Sequence, residues 1–71
     1  LELTKSETAA IASLKRVAKK WPDSLWLFSG SGSLCVMKKL DGEPVYTDRG
    51  GVNQDYVVET INIQNDGGDW D

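Results

Sequence analysis

Histidine is absent from this 71-residue chain, and its absence removes more chemistry than any motif present suggests. A Cys/His zinc site and a catalytic triad with a histidine base are both impossible. Cysteine occurs once, as Cys35, so no internal disulfide forms; this agrees with a reducing compartment. No apolar run approaches the roughly 20 residues of a membrane span, and no signal-peptide pattern opens the chain. The chain therefore reads as cytoplasmic with no membrane partner, although it starts at Leu1 and not at methionine, which leaves room for sequence upstream. Proline is scarce as well, and each of the two, Pro22 and Pro44, punctuates the chain.

A chain this short buries only about 60% of its unfolded surface, so one domain of modest stability is expected. Its net charge of −3 hides a division. Residues 1–40 hold seven bases against three acids, a balance of +4, whereas residues 41–71 hold eight acids against Arg49 alone, a balance of −7. Halves of opposite sign make a polarised surface that steers the protein toward charged partners.

Thr4-Lys5-Ser6-Glu7 has the form of a capping box, in which a Thr hydroxyl accepts from an orphan amide and Glu7 reaches back. Ala10, Ile11, Leu14, Val17, Ala18 and Trp21 then recur at spacings of three and four, one stripe of an amphipathic helix. Lys15, Arg16, Lys19 and Lys20 gather in the last turns, where cations suit the helix dipole. Pro22 disfavours helical backbone at Trp21, so the spacing predicts a helix over 5–20. With Leu14 in mid-stripe, its removal is expected to open the core.

Leu25-Trp26-Leu27-Phe28 and the run from Leu34 to Leu40 are β-prone, joined by the pliant Ser29-Gly30-Ser31-Gly32-Ser33. Asp41-Gly42 favours a type I′ reversal into a third strand over 43–47, short or at an edge because Pro44 cannot donate to a ladder. Residues 48–55 read as a loop. Residues 56–63 read as a last strand with Val57, Ile61 and Ile63 on one face. The fold expected is α+β: one N-terminal helix packed on a three- to four-stranded antiparallel meander, with the helical stripe and the sheet's apolar face burying each other. Residues 1–65 form this domain and 66–71 an acidic tail hinged on glycine.

Several candidate sites follow from these placements. Cys35, in an alternating strand with no histidine to serve as base, reads as a structural or surface thiol and not a nucleophile. The Gly/Ser run joins strands and lacks the Gly-Lys-Ser/Thr of a phosphate loop, so no nucleotide cofactor is expected. Lys15, Arg16, Lys19 and Lys20 form a patch that reads as a solvated face completing the helix dipole or as a contact for an acidic protein surface; it also suits nucleic-acid phosphates, against which the sequence pI near 4.7 argues. The acids of residues 41–71 support the converse, an inhibitor that mimics phosphates. In "NDGGDWD" the spacing of Asp66, Asp69 and Asp71 does not match a calcium loop, and no metal is expected. Glycines 67 and 68 let the tail reverse, with Trp70 docking on an apolar surface and Asp69 on basic side chains. Docking on its own domain makes the tail a clasp; docking on another chain makes it a hook.

The end of the last strand, Ile61-Asn62-Ile63, running straight into Asn65-Asp66-Gly67-Gly68-Asp69-Trp70, resembles small uncharacterised proteins of phages and prophages. The resemblance covers about ten residues and brings no known activity. It implies a host-directed or regulatory accessory protein. The functional expectation is a non-enzymatic protein-binding module, through a protein partner or self-association, contacting it by Lys15, Arg16, Lys19, Lys20, Asp69, Trp70 and the 48–55 loop. A nucleic-acid-associated regulator is the alternative. No small-molecule substrate is expected, since a domain this small can scarcely enclose a pocket.

Overall fold

The capping box at Thr4 forms as its spelling requires. In the computed structural model, which describes residues 1–68, Glu7 N donates to Thr4 Oγ1 at 3.1 Å and Thr4 N donates to Glu7 Oε1 at 2.8 Å. The helix that follows, α1, spans Lys5–Lys19 and ends on Lys20, whose backbone N–H returns to the Val17 and Ala18 carbonyls. Trp21 leaves the helical path before Pro22 and anchors the connection, its Nε1 donating to Leu25 O at 3.0 Å.

Three antiparallel strands follow: β1 (Leu25–Gly30), β2 (Ser33–Lys38) and β3 (Val57–Ile61), in the spatial order β1-β2-β3. The α+β class with an N-terminal helix and a meander sheet is thus the one expected. The strands differ in detail. The Gly/Ser run is not a loose linker: β1 continues to Gly30, which pairs with Ser33, and only Ser31 and Gly32 turn, at φ 53° and 84°. That is the primed geometry whose twist matches the flanking strands. Asp41 and Gly42 make the second such turn, at φ 52° and 80°, with Leu40 and Glu43 exchanging both backbone hydrogen bonds.

The strand expected over 43–47 does not form. Only isolated bridges occur there, Leu40 with Glu43 and Tyr46 with Val52. With Pro44 unable to donate, the chain departs from the sheet and doubles back, Asn53 N bonding to Val45 O and Thr47 N to Gly51 O. This excursion carries Val52 over the sheet. A 3-10 turn, Gln54–Tyr56, capped by the Asn53 side chain, then delivers the chain to β3.

The register decides what each face buries. Trp26 lies opposite Met37 and Phe28 opposite Cys35, and Met37 also faces Val57, so these side chains share one face. Cys35, Met37 and Val52 are the buried cluster on it, with Trp26, Phe28 and Val57 packed around them. Trp26 and Phe28 meet edge to face at 5.8 Å, an arrangement aromatic quadrupoles favour. Cys35 is 3% exposed, a core thiol. The expectation that Val57 and Ile61 share a face is not met. A bulge at Val36/Met37 inserts Val58 into the ladder, so Val57 joins the core while Ile61 pairs with Leu34 on the opposite face.

The helix occupies the opposite side and differs most from expectation. None of its residues is buried, and Leu14, placed at mid-stripe, is 64% exposed. Leu14, Val17 and Trp21 share an open groove with Leu25 and Leu27, while Ala10, Ile11 and Leu14 share a second with Ile63. The helix therefore stands off the sheet instead of closing a core with it. The shape agrees: the radius of gyration is 14.2 Å and the long axis 45 Å, where a compact domain of this length has a radius near 11 Å. The physical reason lies on the other face. The 40–56 excursion supplies the core with Val52, while on the helix side of the sheet Val36 is buried and Leu27 and Ile61 stay exposed.

Because α1 has little packing to hold it, its caps matter more than usual. Thr4→Ala removes the hydroxyl acceptor of the box and should cost about 0.5–2 kcal/mol of helix stability. The expected result is a visible loss of far-UV helical signal with little change in the unfolding of the sheet, followed by tryptophan fluorescence. Equal losses by both probes would show that α1 and the sheet unfold as one unit.

Candidate functional site

Three features of the fold carry polar or exposed groups in an ordered arrangement. The first is the basic end of α1. On the helical wheel, Leu14, Val17 and Ala18 define the apolar stripe, which Trp21 extends past the helix end; Lys15 and Lys20 border it on either side, and Arg16 and Lys19 lie on the far face. All four cations are exposed. Arg16 Nη2 donates to Ser13 Oγ at 2.9 Å, and none of the four forms an ion pair with a described carboxylate. The structure thus gathers the four basic residues expected from sequence and sets them beside exposed apolar side chains. Ile11, Leu14 and Val17 on α1, with Leu27, Ile61 and Ile63 from the sheet side, are all exposed large hydrophobics. A continuous surface of this kind is where soluble proteins dock others.

The second feature is the start of the tail. Asn65 is a hub: its Oδ1 accepts from the Ser29 hydroxyl and from Gly67 N, and its Nδ2 donates to Ile63 O at 2.6 Å and to Gly32 O at 3.3 Å. Gly68 continues the attachment, its N–H donating to Ser29 Oγ and its carbonyl accepting from Ser31 N at 2.7 Å. Gly67, at φ +70°, makes the reversal that two glycines invited. Residues 65–68 are therefore fastened to the β1–β2 turn of their own domain. Asp69, Trp70 and Asp71, on which the docking expectation falls, lie outside the described residues. Sequence reading singled out the glycines but missed Asn65 and Ser29. The available signal was an Asn two residues before a glycine, which favours a side-chain turn.

The third is the aromatic group on the core face. Tyr46, exposed on the excursion, lies 6.5 Å from Trp26 between ring centroids. Trp26 Nε1 is buried and has no hydrogen-bond partner among the described residues. The 48–55 loop, proposed from sequence as a contact region, is divided in function: Gly51 and Val52 are buried, while Asp48, Arg49, Gln54 and Asp55 stay exposed.

Cys35 Sγ is in the core, 4.0 Å from Ser33 O. Among the described residues no three His, Cys, Asp or Glu side chains converge as a metal site, and no helix is long and apolar enough to cross a membrane. No family model matches the chain, and no curated protein or solved structure is significantly similar to it.

Proposed function

We propose that this protein is a small non-enzymatic binding module that works by protein–protein contact, an accessory or regulatory protein of a mobile element acting in the cytoplasm. The observation that carries the reading is the state of α1: a 15-residue amphipathic helix with no buried residue, its apolar stripe bordered by Lys15 and Lys20 and backed by Arg16 and Lys19, all without ion pairs among the described residues. Isolated helices of about this length are marginal in water, so an open stripe gains stability when another surface covers it. Helix-in-groove recognition uses such a face, with apolar anchors for affinity and flanking charge for orientation and partner choice. Asp69 and Trp70 add an acidic and an aromatic contact beyond the clasp at Gly68.

A direct comparison of bait proteins tests this. The wild-type chain should retain a discrete acidic partner from the native host, and Lys15→Glu/Lys19→Glu should lose it. That double variant is expected to leave the melting temperature within about 2 °C, because exposed charges contribute little to folding. Identical retention by the two baits would remove the helix from the binding surface.

A second reading has support in the same four cations, which are spaced to meet phosphates. It makes the protein a nucleic-acid-associated regulator. Residues 21–71 weigh against it with nine acids to three bases, a field that repels a polyanion. Retention on a heparin column that falls steeply with salt and is lost in the double variant would favour it.

A further inference from the structure

We propose that the surface which covers the open face of α1 is the same face of a second copy of this chain, the two helices running antiparallel about a twofold axis. The inference rests on the protein-binding reading above and names the partner. Self-complementarity of the helix is the argument. Ala10, Leu14 and Val17 lie along one stripe of α1, with Leu3 just before its N-cap and Trp21 just past its end, and Glu7 falls on the same face near its N-terminal end. Of those hydrophobics, Leu3, Leu14 and Val17 are exposed by half or more. The bases lie at the other end, Lys15 and Lys20 bordering the stripe on its two sides and Arg16 and Lys19 behind them on the far face.

A parallel pair would set Glu7 against Glu7 and the basic ends against each other. An antiparallel pair instead brings each Glu7 to the partner copy's basic end, and it also opposes the two helix dipoles favourably. Glu7 is equipped for this: Oε1 is held by Thr4 N in the capping box, and Oε2 has no partner among the described residues. Charge beyond the helix agrees. Residues 1–20 have a balance of +3 and residues 21–71 a balance of −6, so the basic end of one helix has an acidic body to approach in the other copy. The grooves beside the helix, about 410 and 440 Å³ and lined by Leu14, Val17, Leu27 and Ile63 among others, provide room for the exposed Leu3 of the second chain. Twofold pairing through one self-matching patch is the commonest way that soluble chains associate.

Sedimentation equilibrium of the full chain at low salt tests the pairing, with circular dichroism confirming that each variant stays helical. The wild type should show a monomer–dimer equilibrium below about 100 µM. Leu14→Asp should weaken it at least about ten-fold by placing a charge in the apolar seam. Glu7→Gln keeps the cap acceptor and loses only the charge; it and Lys15→Glu/Lys19→Glu should each weaken the dimer by several-fold, and about 0.5 M salt should erase the difference between them and the wild type. A wild type that remains monomeric to about 500 µM overturns the proposal. So does a dimer indifferent to Leu14→Asp, or one sensitive to Leu14→Asp but unmoved by both charge variants. The broader reading fails separately: a monomer whose double variant loses another protein sinks the dimer and leaves the binding module standing, whereas a helix-independent chain with no partner sinks both.

Discussion

Met37→Ala should lower the stability of the sheet domain by about 2–5 kcal/mol, the largest effect expected of any single truncation. Met37 is 1% exposed and is the largest fully buried side chain among the described residues. It sits on the central strand, opposite Trp26 on one side and Val57 on the other, with Cys35 and Val52 in the same cluster. Truncation therefore opens a cavity that neighbours on three elements would have to collapse into. A domain of this size has roughly 4–10 kcal/mol in total, so the variant should melt at least about 10 °C lower, if it folds at all. Leu14→Ala is the control. At 64% exposure it should cost less than about 1 kcal/mol in the monomer, far below what a core leucine would. Urea unfolding followed by tryptophan fluorescence reads both. Comparable losses for the two variants would mean that the helix is part of the core after all.

Gly68→Ala should release the tail from the hairpin. An added Cβ would lie 2.5 Å from the Ser29 carbonyl oxygen, closer than real Cβ atoms come, and the obstacle is backbone that a side-chain rotation cannot move. The tail must shift, and the bonds from Ser31 N to Gly68 O and from Gly68 N to Ser29 Oγ are lost with it. Two hydrogen bonds at a partly exposed site amount to about 1–3 kcal/mol. Asn65→Ala should give a loss of similar size by another route, since it removes the hub that ties Ser29, Gly32, Ile63 and Gly67 together. Because both variants break one attachment, their effects should be less than additive when combined. Amide exchange at Ser31 is the sharpest probe, as its N–H bonds only to the tail. Unchanged protection there in Gly68→Ala would show that residues 65–68 are held by other contacts.

Local signals were legible because their physics is local. The capping box at Thr4 and Glu7, the stop before Pro22 and the Asp41-Gly42 reversal each depend on residues within a turn of one another, and each forms as spelled. The β1–β2 pairing was readable in outline, since two β-prone runs separated by glycine have few alternatives. Residues 43–47 show where that logic ends: the β-prone Val45-Tyr46-Thr47 pairs with Gly51–Asn53 of its own excursion, because covering Met37 with Val52 stabilises more than extending the sheet past Pro44.

Composition and spacing settle the inventory: one amphipathic helix, a meander, a charge division, and no histidine for metal or base. Which apolar residues became the core was decided only by tertiary structure. Alternation cannot foresee the bulge that sends Val57 to one face and Ile61 to the other, and a helical stripe looks the same in sequence whether it closes a core or waits for a partner. Ile11, Leu14 and Val17 have the spacing of core residues and the exposure of an interface. Spacing fixes which side chains share a face, but burial depends on what else the chain can bring to that face, and here the chain spent Val52 on the opposite one.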